Sequence, residues 1–227
     1  MKRYIRNMKM LSKEENERLA KFKVCVVGCG GLGGYIIEFL GRLGIGHITA
    51  IDGDFFDETN LNRQILSEIE TIGKSKALTA QKRMKQVNPL IEVTPIIESI
   101  SRENADKVLR GHDLIIDAVD GINTRFLLQD IASKLNIPLI HGAIAGWYGQ
   151  VSTIFPGENT LDKIYPSKDV SGLESELGNP SFTPALIASI EVSEALKVLL
   201  NKGELLRNRL LYIDLLEHDY VVMELGT

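Results

Sequence analysis

Three side chains in this sequence are of the kind that handles a polyphosphate: Arg63, Lys76 and Asp120. A guanidinium gives two parallel hydrogen bonds to phosphate oxygens, whereas an ammonium acts as a point charge. A triphosphate under nucleophilic attack develops negative charge that such groups stabilise. A carboxylate at Asp120 suits Mg2+, which is held by one or two carboxylates plus phosphate oxygens. Asp117 in the same run, Leu114-Ile115-Ile116-Asp117-Ala118-Val119-Asp120, competes for that role. Alternation along a strand sends the two acids to opposite faces, and the strand's end favours Asp120. Arg6, in a basic N-terminal arm, is a third cation for the same polyphosphate. Each of these residues alone reads equally well as a solvated surface charge; together they point to phosphate chemistry.

Such groups need a scaffold that brings a backbone close to the ligand. Gly28, Gly30 and Gly33 have the G-x-G-x-x-G spacing and follow the small apolar run Val24-Cys25-Val26-Val27. Without Cβ atoms the turn is tight, and amides at the following helix start can face an anion. A glycine-rich turn with no ligand is the bland alternative. Asp52 follows at the distance expected of a carboxylate that accepts from ribose hydroxyls, which suits NAD or ATP. The run Asn60-Leu61-Asn62-Arg63-Gln64 favours ATP, because a ribose without an extra phosphate has no need of that arginine.

The elements follow from periodicity and punctuation. Ser12 and Glu15 form a capping-box pattern, so 13–21 is expected to be a surface helix. Strands are expected at 23–27, 47–51, 92–97 and 114–119, with a further strand beginning at 138–140. Helices are expected at 35–43, 74–87, 102–110 and 123–135, the second stopped by Asn88-Pro89. Strand and helix alternate, which argues for a doubly wound, mostly parallel α/β sheet covered on both faces. Gly28, Asp52 and Asp120 all fall at expected strand ends, where such sheets bind ligands.

After Gly142 the texture changes. Residues 150–155 alternate as a half-exposed strand, and 156–182 reads as a long loop of the kind that is often functional. Pro184 opens a helix to about Leu200 with two apolar stripes, which marks it as buried. Residues 210–214 and 220–224 close the chain as a pair of strands, antiparallel at the C-terminal side of the sheet. The expectation is a single domain over 1–227: an arm and helix at 1–22, a nucleotide-binding half at 23–145, and a 146–227 portion with the crossover loop.

The totals fit an ordinary globular chain: 227 residues, 44% hydrophobic, 25% charged, net charge −4. That charge gives no global pull toward nucleic acid, and no apolar run approaches a membrane span. With no signal-peptide pattern at the start, a cytoplasmic location is the default. Cys25 reads as a small core residue, while Cys29, in a turn over a ligand, is expected to be partly exposed. Two cysteines with scattered histidines make no structural zinc site.

Taken together, the chain resembles the E1-like adenylating enzymes of the ThiF, MoeB and HesA type. The matching pieces run in order: Arg3-Tyr4-Ile5-Arg6, Gly28 to Gly34, Asp52-Gly53-Asp54 with Asn60 to Gln64, Gly73-Lys74-Ser75-Lys76, Asn88-Pro89, Asp117 to Asp120 with Thr124-Arg125, Gly149-Gln150, and Glu194-Ala195-Leu196-Lys197. The resemblance implies a Rossmann-like fold that binds MgATP over the glycine turn. It implies attack by the C-terminal Gly-Gly carboxylate of a small ubiquitin-like sulfur carrier on the α-phosphorus, with loss of pyrophosphate. By position, Gly28, Gly30, Gly31, Gly33, Asp52 and Asp54 would cradle the nucleotide. Asn60, Arg63 and Lys76 would serve the phosphates, and Asp120 would hold Mg2+. Arg6 would reach the site of a second subunit, which implies a homodimer, and a separate sulfur donor would follow.

The chain also departs from that family. It lacks the two Cys-x-x-Cys pairs that bind zinc in many members, and 156–182 contains no cysteine to carry a thioester or persulfide. Adenylation without a covalent enzyme thioester is therefore expected. Adenylation of a tRNA base or of a peptide, a non-catalytic scaffold subunit and a nicotinamide dehydrogenase are the competing readings.

Overall fold

The structure is a computed structural model, and it describes residues 2–167 and 174–226. In chain order its elements are α1 (Lys13–Leu19), β1 (Lys23–Val27), α2 (Gly31–Leu43), β2 (His47–Ile51), α3 (Lys76–Val87), β3 (Glu92–Ile96), α4 (Ala105–Leu109) and β4 (Leu114–Asp117). There follow α5 (Ile122–Leu135), β5 (Leu139–Ala145), β6 (Tyr148–Ile154), α6 (Thr160–Ile164), α7 (Glu174–Leu177), α8 (Phe182–Leu200), β7 (Arg209–Asp214) and β8 (Asp219–Glu224). The capping box at α1 forms in both directions: Ser12 Oγ accepts from the Glu15 amide, and Glu15 Oε2 accepts from the Ser12 amide at 2.7 Å.

The eight strands among the described residues form one sheet in the order β3-β2-β1-β4-β5-β6-β7-β8. The first five in that order run parallel, and β5 to β8 pair antiparallel, so the expected mixed architecture is the one observed. The chain winds outward from β1 to β3 and then returns to β4 on the other side of β1. That reversal opens a crevice at the carboxyl ends of β1 and β4.

Alternate residues of the central strands feed two cores. Val24, Val26, Ile48, Ala50, Leu114 and Ile116 face α2, α3 and α8, whereas Cys25, Val27, Ile51 and Ile115 face α4 and α5. Burial on both faces explains why these strands read as continuous apolar runs. Of the two stripes on α8, one is buried through Ala188, Val192, Ala195 and Leu199; on the other, Leu186, Ile190 and Leu196 are only partly covered. β8 is exposed along its length at the sheet's edge.

Several boundaries shift by a few residues, and three differences from expectation matter most. The helix after the glycine turn starts at Gly31 rather than at residue 35, so Gly31 and Gly33 are helical. β4 ends at Asp117, which puts Asp120 three residues past the strand, in the loop before α5. The cause is the Asp117 side chain: its Oδ1 accepts the Val119 amide at 3.1 Å, an Asx turn that takes the place of the next ladder bond. The 156–182 stretch is not a plain loop, because it carries α6 and α7 and α8 already begins at Phe182; positions 168–173 lie outside the described residues.

Candidate active site

The glycine turn is built by close approach. Gly28 has φ +97°, donates its amide to Ile51 O at 2.8 Å, and would push a Cβ to 2.4 Å from Ala118 O. A Cβ on Gly33 would stand 1.8 Å from Gly28 O, so the first turn of α2 packs directly on the turn that precedes it. Gly30 caps α2 without a side chain, leaving the first amides of a 13-residue helix without side-chain partners. That end carries the positive pole of the helix and suits an anion.

A cleft of about 620 Å³ opens over this turn. Of the predicted site residues, Gly28, Gly30, Gly31, Asp52, Asp54, Asn60, Arg63, Lys76 and Asp120 all line it. Gly33 lies behind the wall and serves packing. Arg6 does not line the cleft. The arm docks at the far end of α2, where Tyr4 lies against Gly44 and Arg3 Nη1 donates to Val87 O at 2.7 Å. A helix of 13 residues spans about 20 Å, and Arg6 is exposed on that arm. Arg6 therefore does not join Arg63 and Lys76 within one subunit.

Each wall residue is held by its own local chemistry. Asp52 Oδ2 accepts the Cys29 amide and Oδ1 the Asp54 amide, both at 2.7 Å. Each oxygen keeps a second lone pair for a hydroxyl. Burial raises the Asp52 pKa against the effect of those two amides. Lys76 is the first residue of α3 and is buried, with its Nζ 3.2 Å from Asp54 Oδ2. A cation at a helix N-terminus opposes the helix dipole, so this arrangement favours a negative ligand beside it. Asn60 closes a short 3-10 turn, accepting the Asp57 amide on Oδ1 at 3.1 Å. Arg63 Nη1 donates to Thr59 O at 3.0 Å and to Asn62 Oδ1 at 2.9 Å. The excursion that carries Asn60 and Arg63 is pinned at its base, where Phe56 bridges to Lys74 and the Lys76 amide donates to Asp54 O.

Asp120 is exposed and lines the same cleft. Asp117 points away from the cleft into the core, where its Oδ2 lies 2.7 Å from His141 Nδ1 with both side chains fully buried. Burial lowers the His141 pKa against the opposing effect of Asp117. Cys29 is wholly buried, contrary to its expected partial exposure, because it faces the core under α2; burial raises its thiol pKa well above the ordinary value.

Residue typing missed several groups on the wall. Gln64 is buried, its Oε1 lacking a hydrogen-bond partner among the described residues, and Arg125, Thr124, Ser99 and Asn179 also line the cleft. Gln64 and Arg125 stand inside the motif runs quoted above, which is the signal that marks them; Ser99 and Asn179 carry none. The donor set fits MgATP. The glycine turn, Arg63 and Lys76 face negative charge, Asp52 can accept from hydroxyls, and Asp120 offers one oxygen donor of the kind Mg2+ shares with phosphate.

A family model described as the ThiF family matches residues 2–227. The chain is 37% identical over 229 residues to the sulfur carrier protein adenylyltransferase of Thermus thermophilus, covering 96% of this chain and 84% of that protein. It is 33% identical over 220 residues to the SAMP-activating enzyme E1 of Haloferax volcanii, covering 95% of this chain and 82% of that protein. Among solved structures, E. coli MccB with MccA superposes with a TM-score of 0.86 at 22% identity, over 99% of this chain and 71% of that one, a likeness of fold.

Proposed function

The chain belongs to the ThiF family, and from that premise we propose that it activates the C-terminal Gly-Gly carboxylate of a small ubiquitin-like sulfur-carrier protein as an acyl adenylate. It is an adenylyltransferase of the E1-like type; its Thermus relative is named an adenylyltransferase and its Haloferax relative an activating enzyme E1. The observation that carries the reading is the convergence of Arg63, Lys76 and Asp120 on the cleft over the glycine turn.

In this reading residues 1–227 act as one adenylating unit. ATP lies over the amides of Gly30 and Gly31, its ribose hydroxyls on Asp52. A carboxylate oxygen of the carrier attacks the α-phosphorus. The bond from that phosphorus to the bridging oxygen breaks, and pyrophosphate leaves with the electron pair. Lys76 and Arg63 hold the phosphate oxygens as charge moves onto the leaving group, and Asn60 donates from its amide nitrogen. Mg2+, held by Asp120, would neutralise charge on those oxygens.

The product, activated for a sulfur nucleophile, belongs to sulfur transfer of the thiamine or molybdopterin type. A separate sulfur donor completes it, since 156–182 holds no cysteine. The working form is a homodimer in which Arg6 of one subunit enters the cleft of the other, because the arm docks away from its own cleft. The place of action is the cytoplasm; among the described residues no helix is long and apolar enough to cross a membrane.

The test is exchange of labelled pyrophosphate into ATP, with purified ubiquitin-like proteins ending in Gly-Gly supplied one at a time. Exchange is expected with one of them, to vanish when its last glycine is removed, and to fall at least about a hundredfold in Asp120→Asn. Full exchange in Asp120→Asn removes the metal role, and ATP binding without exchange for any carrier removes the activity.

A further inference from the structure

Two of the motif runs, Thr124-Arg125 and Gly149-Gln150, have no part in the chemistry above, yet both send a side chain to one atom. That atom is the hydroxyl of Tyr165, the C-terminal cap of α6. Arg125 Nη1 lies 2.8 Å from it and Gln150 Nε2 lies 2.9 Å away. Both can only donate, so the hydroxyl accepts twice and its own proton is left for His141 Nε2 at 3.1 Å, an atom that Gln150 Nε2 approaches less closely, at 3.3 Å. His141 then carries its ring proton on Nδ1, facing Asp117 Oδ2 at 2.7 Å. The other oxygen of Asp117 accepts the Val119 amide at 3.1 Å, and Arg125 Nη2 donates to Val119 O at 2.8 Å.

The chain of bonds closes on itself: Tyr165 to His141, to Asp117, to the N–H of Val119, through that residue's backbone to its carbonyl, to Arg125, and back to Tyr165. What the ring grips is the residue next to Asp120. Both polar groups of Val119 are held, one by each arm of the ring, and the walls of the ring are buried: His141 and Asp117 fully, Arg125 at 5% exposure. The Tyr165 ring adds edge contacts to Phe126 and His141 at 6.3 and 5.7 Å.

We propose that Tyr165 is a positioning residue for adenylation, whose hydroxyl closes a buried ring of hydrogen bonds that sets the Val119–Asp120 peptide at the edge of the cleft. Tyr165 does not line the cleft; it acts through Arg125 and His141 on the loop that carries Asp120. The proposal rests on the adenylation reading for its kinetic consequence, but not for its structural one. A side-chain network that fixes a peptide within a fraction of an ångström is the support that a site of this kind needs.

The test is Tyr165→Phe, which keeps the ring and its packing and removes only the hydroxyl. In ligand-free protein, amide hydrogen exchange across 118–121 is expected to accelerate at least about tenfold while exchange in β1, β2 and α2 stays unchanged. With the carrier that supports pyrophosphate exchange, kcat is expected to fall roughly tenfold, KM for ATP to move less than about twofold, and the Mg2+ needed for half-maximal rate to rise several-fold.

Unchanged exchange at 118–121, or acceleration spread evenly over the whole sheet, overturns the proposal. Unchanged kcat and Mg2+ dependence in an active preparation also overturns it, leaving the adenylation reading intact. If wild-type protein supports no pyrophosphate exchange with any carrier, the adenylation reading fails and the amide exchange decides the structural claim alone. If Tyr165→Phe does not fold, Arg125→Lys takes its place, keeping the charge but losing the fork that spans Val119 and Tyr165. Retained protection at 118–121 in that variant overturns the ring, and lost protection confined to that loop supports it.

Discussion

Glu191 is the residue whose chemistry departs most from its surroundings. It is fully buried on α8, its carboxyl is packed against Gly142, and neither oxygen has a hydrogen-bond partner among the described residues. Burial raises its pKa well above the ordinary carboxylate value, and the nearby charge of Asp117 adds to that. An acid with a raised folded pKa holds its proton more tightly folded than unfolded. Its contribution to stability is therefore full below the unfolded pKa and is lost as pH rises through the folded one. Glu191→Gln removes that loss. The Tm of the variant relative to wild type is expected to rise as pH climbs above the ordinary carboxylate pKa, as read by calorimetry; a difference that stays constant with pH refutes the assignment. Cys29 gives a second prediction at this scale. Its thiol is buried with a raised pKa, so iodoacetamide at pH 8 is expected to label it only after unfolding, by at least about a hundredfold in rate.

Among the elements, the junction of β1 and α2 holds the narrowest tolerances. A methyl group on Gly33 meets a carbonyl oxygen of the backbone, which cannot turn aside. A methyl group on Gly31, two residues earlier in the same helix, meets Pro184 Cβ at 3.8 Å and the Arg63 stem at 4.0 Å, which is ordinary contact. Gly33→Ala is expected to cost about 3 kcal/mol in denaturant unfolding, whereas Gly31→Ala stays within about 0.5 kcal/mol of wild type. Equal losses in both show that the glycines matter only as a flexible turn. The element boundaries that sequence periodicity misplaced share a cause. Hydrophobic runs do not reveal that the Asp117 side chain takes the Val119 amide and ends β4, nor that a helix can begin on glycines when their amides face a cleft.

In the whole molecule, the arm docks at the end of α2 away from the cleft, so Arg6 does not line the cleft of its own subunit. The homodimer reading makes a sharp forecast. Arg6→Ala and Asp120→Asn are each expected to be inactive alone. Mixed one to one after subunit exchange, they are expected to regain about a quarter of wild-type activity, because half the dimers are mixed and one site of each is whole. No recovery on mixing confines each site to one subunit.

The sequence by itself determined the parts whose physics is local. Glycine spacing demanded a backbone approach, the Ser12–Glu15 pair announced a helix start, uninterrupted apolar runs announced strands covered on both faces, and nine of the residues singled out for phosphate and ribose meet on one cleft. Tertiary structure alone decided the rest: that Asp117 turns inward to His141, that Cys29 is sealed in the core, that Arg6 lies at the wrong end of α2, and that Tyr165 gathers Arg125, Gln150 and His141. Those outcomes depend on which distant segments the sheet order brings together. The partners that meet at Tyr165 lie 15 to 40 residues from it along the chain, and no local pattern encodes a neighbour at that separation.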